Sequence, residues 1–388
     1  MAQAAAVVMG TLPPLSLYVH VPWCVRKCPY CDFNSHALRG ELDGVGYVDA
    51  LLSDLDLDRE LAVGRPLQSV FIGGGTPSLL EPAQVGRLLE GVAGRLPLAA
   101  DCEITLEANP GTVEAGRFRG FRAAGVNRLS IGVQSLDAGQ LRRLGRIHGP
   151  AEARDAARAA RAAGFDNFNL DLMFGLPDQD VAAALADLNG ALDLEPAHLS
   201  WYQLTLEPNT AFSHDPPRLP DPDLVADMQG AGQALLAQAG FVQYEVSAYA
   251  RTGRRCRHNL NYWTFGDYLG IGAGAHAKLT GRDGRICRRW RVRHPQDFLA
   301  HAGGDAALAG ERTLESAELG VEFMINALRL RDGVPDALFS ARTGQPLALI
   351  EAALTAARER GLLAREGLRA TALGWRFLDD LIAMFEPT

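Results

Sequence analysis

Cys24, Cys28 and Cys31 place half of the chain's six cysteines within eight residues, at the spacing C-x3-C-x2-C. Three neighbours so close cannot all pair with one another. The cluster therefore reads as a metal site of a reducing compartment rather than a secreted disulfide framework. A tight loop of this spacing aims three thiolates at three corners of a cube, which suits an iron–sulfur cluster with one iron left open. Zinc is the competing metal. It normally takes four closed ligands, and His20 or His36 is near enough in the chain to supply the fourth. Plain structural thiols are the third reading. Cys102, Cys256 and Cys287 stand alone and read as ordinary core or surface thiols.

The elements that must position this loop follow from hydrophobic periodicity. Short β-rich runs at 16–21, 68–73, 103–108, 128–133, 167–174 and 198–205 alternate with helical patterns at 47–62, 81–93, 113–124, 137–144, 151–163, 181–192 and 221–239. Gly125 and Gly164 fall where helix C-caps are expected. Six successive strand–helix units imply a parallel sheet, either doubly wound or rolled into a barrel. Every strand is followed by a chemically distinctive group: the cysteine loop, Gly73-Gly74-Gly75-Thr76-Pro77, Glu107-Ala108-Asn109-Pro110, Gln134, Asp171, and Tyr202-Gln203. A doubly wound sheet concentrates its site at one switch point. A barrel brings all its strand ends to one face, so this spread favours the barrel.

We therefore expect an α/β chain with a barrel over 1–240 and a connecting segment with further strands over 241–311. A mainly helical domain of winged-helix-like order follows over 312–388. Within it, amphipathic helices are expected at 314–330 and 347–360, a hairpin at 362–370 and a last helix at 374–385. A length of 388 residues accommodates such units.

The net charge of −8 argues against a general nucleic-acid binder, and the C-terminal part has no basic excess to suggest DNA. Lys27 and Lys278 are the only lysines, a compositional bias from which no function follows. Residues 1–23 lack the basic n-region of a signal peptide and are interrupted at Pro13-Pro14. No run of 18 apolar residues suggests a membrane span, so a cytoplasmic location is expected.

The cysteine spacing, with Tyr30 just before the third cysteine, resembles that of the radical S-adenosylmethionine (SAM) superfamily, and Gly73–Pro77 after the second strand resembles its second motif. The resemblance implies a partial (β/α)6 barrel, in agreement with the six units above. It implies a [4Fe–4S] cluster held by Cys24, Cys28 and Cys31, with the amino and carboxylate groups of SAM on the open iron. An electron from a donor then cleaves the sulfonium, giving methionine and a 5′-deoxyadenosyl radical; the cofactor carries the hard chemistry and the protein orients it. Gly74 and Gly75 permit close backbone approach, and backbone groups beside Thr76 can hold the methionine ammonium. Glu107, Gln134, Arg146 and Asp171 match SAM-site positions of the coproporphyrinogen-oxidase-like subfamily, as does Tyr18. Taken singly, each has an ordinary role as surface charge, helix cap or hydrogen bond.

Within that subfamily the chain is similar to the HemW group of heme chaperones. The similarity rests on Pro22-Trp23-Cys24, Cys31–Ser35, Gly73–Ser78, Asn169–Pro177, His258-Asn259-Leu260-Asn261-Tyr262-Trp263 and Tyr268 to His276. It implies binding of heme and delivery to a hemoprotein acceptor, and leaves SAM cleavage, a homodimer and peripheral membrane contact open. His258 is the first candidate for an axial heme ligand, with His276 and Cys256 next. Tyr262 and Trp263 offer flat faces to a macrocycle, and Arg254, Arg255 and Arg257 can pair with propionates. The Gly270, Gly272 and Gly274 run reads as a tight turn beneath the cofactor. Two alternatives are an oxygen-independent coproporphyrinogen III oxidase and a radical SAM enzyme with another substrate. Against the oxidase, Phe33 stands where such enzymes carry a further cysteine, and 23 residues precede Cys24 where they carry a longer segment.

Overall fold

The computed structural model describes residues 11–112 and 115–387. Residues 1–10 of the charge-free opening stretch, and the first two residues of the helix expected over 113–124, lie outside the described residues. Six strands lie side by side in chain order and run parallel: β1 (Leu15–Val21), β2 (Leu67–Gly74), β3 (Leu98–Ala108), β4 (Arg128–Gln134), β5 (Phe168–Phe174) and β6 (His198–Gln203). Their order never reverses, so no switch point exists and the winding is that of a barrel.

Residues expected as a connecting segment extend this sheet on both sides. β7 (Val242–Glu245) and β8 (Ala248–Ala250) add antiparallel strands beyond β6. On the other side β9 (Asp267–Ile271) pairs parallel with β1, and β10 (His276–Thr280), β11 (Ile286–Arg291) and β12 (Leu308–Thr313) continue antiparallel. The sheet ends at β12 and β7 without closing, so the barrel is partial.

Side chains alternate in direction along a strand, and here the two directions differ in chemistry. One face carries Leu15, Leu17, Val19, Val70, Ile72, Ile104, Leu106, Leu129, Ile131, Leu170, Leu172 and Leu199, all buried in the main core. The other carries Ser16, Ser69, Glu103, Thr105, Arg128, Ser130, Asn169 and His198, also buried. Buried polar groups need partners, and several of these find one another, while Thr105 Oγ1 and Arg128 Nε have none. His198 Nδ1 lies 2.7 Å from Asn169 Oδ1, and its Nε2 lies 2.8 Å from the Tyr244 hydroxyl.

The apolar face is covered by α1 (Gly44–Asp58), α2 (Pro82–Ala93), α3 (Ala115–Ala123), α5 (Pro150–Ala162), α6 (Val181–Leu192) and α7 (Pro222–Gln238), while α4 (Ala138–Arg143) leads to Leu144 in a small separate cluster with Met173, Leu176 and Leu204. Asp43, Asp137, Asp180 and Asp221 cap α1, α4, α6 and α7, each accepting a backbone N–H of the first turn. Such a cap is worth about 1 kcal/mol. Gly125 and Gly164 follow α3 and α5 with positive φ, as expected of C-caps.

The HNxxYW run forms a helix, α8 (Arg257–Trp263), packed against β1, β2 and β9. The C-terminal region has its own core around Phe323, Phe339, Leu354, Leu368 and Leu381. It contains α9 (Leu319–Ala327), α10 (Asp336–Thr343) and α11 (Glu351–Glu359), with the bridge Leu363↔Ala370 forming the expected hairpin and Val334↔Leu368 adding a third segment to it. The last expected helix is broken at Phe377, whose backbone leaves the helical region. Among the described residues no helix is long and apolar enough to cross a membrane.

Candidate cofactor site

The cysteine loop leaves the end of β1 and is held by the glycine motif at the end of β2. Gly75 N donates to Val21 O at 2.7 Å and Thr76 N to Trp23 O at 2.7 Å. A Cβ at Gly75 would come within 2.5 Å of Trp23 O, so only glycine permits this approach. Gly74 adopts φ +114°, and its N–H donates to Glu107 Oε2 at 3.0 Å. The loop then turns through Cys31 N to Cys28 O, leaving all three thiols half-buried and outside any disulfide.

A cavity of about 460 Å³ opens in front of these thiols. Eleven of the twelve candidates for the cluster and its organic ligand line it: Cys24, Cys28 and Cys31 at one end, and Tyr30, Gly74, Gly75, Thr76, Glu107, Gln134, Arg146 and Asp171 around its walls, Tyr18 being the exception. Gln134 sits at the end of β4 with φ +70°, a conformation rare outside glycine, and accepts from the Tyr202 hydroxyl at 2.8 Å. Arg146 reaches Cys28 Sγ at 3.5 Å and donates to Asn109 Oδ1 and Gly132 O, while its buried Nε lacks a partner. Asp171 accepts from Ser130 at 3.1 Å and from Asn169 at 2.8 Å.

Burial raises Glu107 to about 8, with the neighbouring Asp171 adding to the effect. Burial likewise lifts Asp171, Cys24, Cys31 and Tyr202, each by disfavouring the charged form. Tyr30 is raised for the same reason. Burial thus disfavours the charged forms of these groups, and a cationic or metallic ligand in the cavity would favour them instead.

Three thiols at one end, an unpaired Arg146 Nε and a glycine cradle fit an iron–sulfur cluster with an organic ligand beside it. Neither His20 nor His36, the candidates for a fourth zinc ligand, lines this cavity. Both ring nitrogens of His20 are engaged, with the Tyr18 hydroxyl and with Asn34 O, and His36 turns to Asn34 Oδ1. Among the described residues no group of three or more His, Cys, Asp or Glu side chains converges on a single-ion site.

A second recess, of about 720 Å³, adjoins the cavity and shares Phe33, Gly74 and Glu107 with it. Its other walls include Tyr18, Tyr262, Tyr268, His276, Trp290 and Arg293. His276 is exposed there, with its ring stacked over Trp290 at 6.4 Å. The glycine turn between β9 and β10 packs onto the cysteine loop through Asn34, which donates to Ala273 O at 2.9 Å and Arg293 O at 2.8 Å.

His258 does not face either recess. It is 1% exposed beneath their floor; its Nδ1 lies 2.9 Å from Ser69 Oγ and its Nε2 2.9 Å from the Tyr262 hydroxyl. Neither nitrogen is open to an iron, which corrects the expectation of an axial ligand at this position. Cys256 is also buried and donates to Glu103. Arg254, Arg255 and Arg257 pair with Asp166, Asp332 and Asp101 rather than with the recess. Sequence reasoning missed Ser130, Ser200, Glu245 and Arg329 in the cavity wall. The first two share the strand face of Asp171, a signal that register would have given; the Arg329–Glu245 pair, at 3.1 Å, joins the C-terminal region to the barrel and had no local signal.

Comparison with known proteins places these features in a family. The Radical SAM superfamily profile matches residues 18–188, and the HemN C-terminal domain profile matches residues 314–377. "Heme chaperone HemW" of Escherichia coli (strain K12) is 53% identical over 379 residues, covering 97% of this chain and 99% of that protein. The protein of the same description from Haemophilus influenzae is 45% identical over 383 residues, covering 97% and 99%. The mouse "Radical S-adenosyl methionine domain-containing protein 1, mitochondrial" is 38% identical over 390 residues, covering 96% and 87%. Among solved structures, the radical SAM enzyme coproporphyrinogen III oxidase (HemN) of Escherichia coli superposes with a TM-score of 0.82 at 25% identity, covering 98% of this chain and 92% of that one. A barrel with three thiols at its mouth, a full-length match to these chaperones and the HemN-like C-terminal region together establish that the chain belongs to the HemW family of the radical SAM superfamily.

Proposed function

We propose that the chain is a heme-binding chaperone that hands heme to a hemoprotein acceptor. It would hold a [4Fe–4S] cluster on Cys24, Cys28 and Cys31 and SAM in the cavity before them. When bound, that pair supplies one-electron chemistry at the SAM sulfonium. The chain's own part is to position and shield. Gly74 to Thr76 present backbone to the ligand, Arg146 offers its free Nε to a carboxylate, and Asp171 and Gln134 offer acceptors to hydroxyl groups.

The observation that carries the heme reading is the adjoining aromatic recess. Its rings give a macrocycle flat apolar faces, its exposed His276 offers an imidazole to the iron, and Arg293 at the rim can pair with a propionate. We assign the axial ligand to His276. His258 acts as a positioning residue that fixes the Tyr262 ring. The full-length similarity to proteins described as heme chaperones supports the same reading. Phe33, at the boundary of the two sites, stands in the place of the oxidases' additional cysteine and weighs against decarboxylation.

The test is a hemin titration of the reconstituted protein, alongside an anaerobic assay with coproporphyrinogen III, SAM and reductant. Saturable binding with a Soret band and no protoporphyrinogen IX is the expected result. Conversion of coproporphyrinogen III, or absence of saturable heme binding, would overturn the proposal.

A further inference from the structure

The cysteine loop has an outer side as well as an inner one. There Arg26, Lys27, Cys28, Pro29 and Cys31 border an open recess with Arg142 and Arg143, the last residues of α4. Cys28 and Cys31 thus have the cofactor cavity on one side and this recess on the other. The four cations are exposed, and among the described residues no carboxylate lines the recess. Arg143 pairs with Asp178 at 3.0 Å; among the described residues Arg26, Lys27 and Arg142 form no ion pair. This basic patch stands on a chain of net charge −8. Of the two lysines, Lys278 is buried against Asp267, and the other lies inside the cysteine loop. Three of these four like charges lack a counter-charge among the described residues; they repel one another, and a partner of opposite sign relieves that repulsion and is steered towards them.

We propose that this recess is the docking surface for an acidic one-electron carrier protein that reduces the cluster across Cys28 and Cys31. The inference rests on the cluster reading above. The carrier's reduced prosthetic group loses one electron and the cluster gains it; no bond forms or breaks and no proton moves. An inner cavity reserved for the organic ligand and an outer face reserved for the donor let both act at once.

The experiment compares the wild type with the Arg142→Glu/Arg143→Glu variant, neither position lining the cofactor cavity. Anaerobic stopped-flow spectroscopy follows cluster reduction by flavodoxin hydroquinone, an acidic protein donor, and by photoreduced 5-deazaflavin, a small donor. The flavodoxin rate at low salt should fall about tenfold or more in the variant and lose most of its salt dependence. The deazaflavin rate should not change. An unchanged flavodoxin rate overturns the inference. A second measurement needs no cluster: titration of the apo chain with flavodoxin should show weaker binding by the variant, and equal binding overturns the inference even if both reduction rates fall. Absence of iron and sulfide after reconstitution would instead sink the cluster reading while leaving the binding titration decisive for the docking surface.

Discussion

The two recesses at the strand ends share a wall at Phe33, Gly74 and Glu107, yet they are built from different parts of the sheet. The inner cavity draws its thiols, glycines and acids from the ends of β1 to β6. The outer one takes Tyr268, His276, Trp290 and Arg293 from β9 to β11 and the segment after them. None of these four lines the inner cavity. The six strands carry the thiols, the glycine cradle, Glu107 and Asp171, with Glu245 and Arg329 added from beyond them; β9 to β11 supply an aromatic wall of a different chemistry. A second ligand can thus be accommodated without altering the first site.

That separation can be broken in graded ways. The largest effect is expected from replacing Cys24, Cys28 and Cys31 together by alanine. Iron and sulfide analysis should fall from about four each per chain to none, while hemin titration still saturates. Next is Arg291→Met. Arg291 is buried between Asp54 of α1, at 2.6 Å, and Asp58, at 2.8 Å. Removing one partner of such a cluster strands the others, at a cost of about 3–5 kcal/mol. Chemical denaturation should show that loss, with heme binding impaired before iron content. His258→Ala should cost about 2–4 kcal/mol, from the cavity and from the hydroxyls of Ser69 and Tyr262 left short of a partner. Heme affinity should weaken because Tyr262 is freed, but the type of Soret spectrum should persist.

The smallest effect is one of pH. Glu107 is raised from 4.5 to about 8. Between these values the folded chain retains a proton that the unfolded chain has released, so this group's contribution to stability falls as pH rises through that window. Glu107→Gln removes the penalty and keeps an acceptor for Gly74 N. Thermal melts of the apo chain should show the variant gaining on the wild type as pH rises towards 8 and no further beyond it.

Much of the inner cavity was legible in the sequence, because each of its groups follows a strand and parallel strands in order bring their ends together. The glycines of Gly73–Pro77 suggested a close backbone approach, but not that Gly75 makes it to Trp23 of the cysteine loop. The outer recess was not legible. Its residues lie at 18, 33, 262, 268, 276, 290 and 293, and only the pairing of β9 with β1 brings them side by side. His258 illustrates the same limit. An imidazole before two aromatic residues suggests a ligand, but the turn of a seven-residue helix points it at Ser69 and leaves Tyr262 to face the recess. Burial and hydrogen bonding between residues 189 positions apart do not register in local pattern.

The central claim is that heme occupies the outer recess with His276 on its iron. Low-temperature electron paramagnetic resonance and absorption spectra of the ferric heme complex test it most directly, comparing wild type, His276→Ala and His258→Ala. The account predicts that His276→Ala alone loses the imidazole-ligated signature and that added free imidazole restores it. An unchanged spectrum in His276→Ala, with the signature lost in His258→Ala, would contradict it.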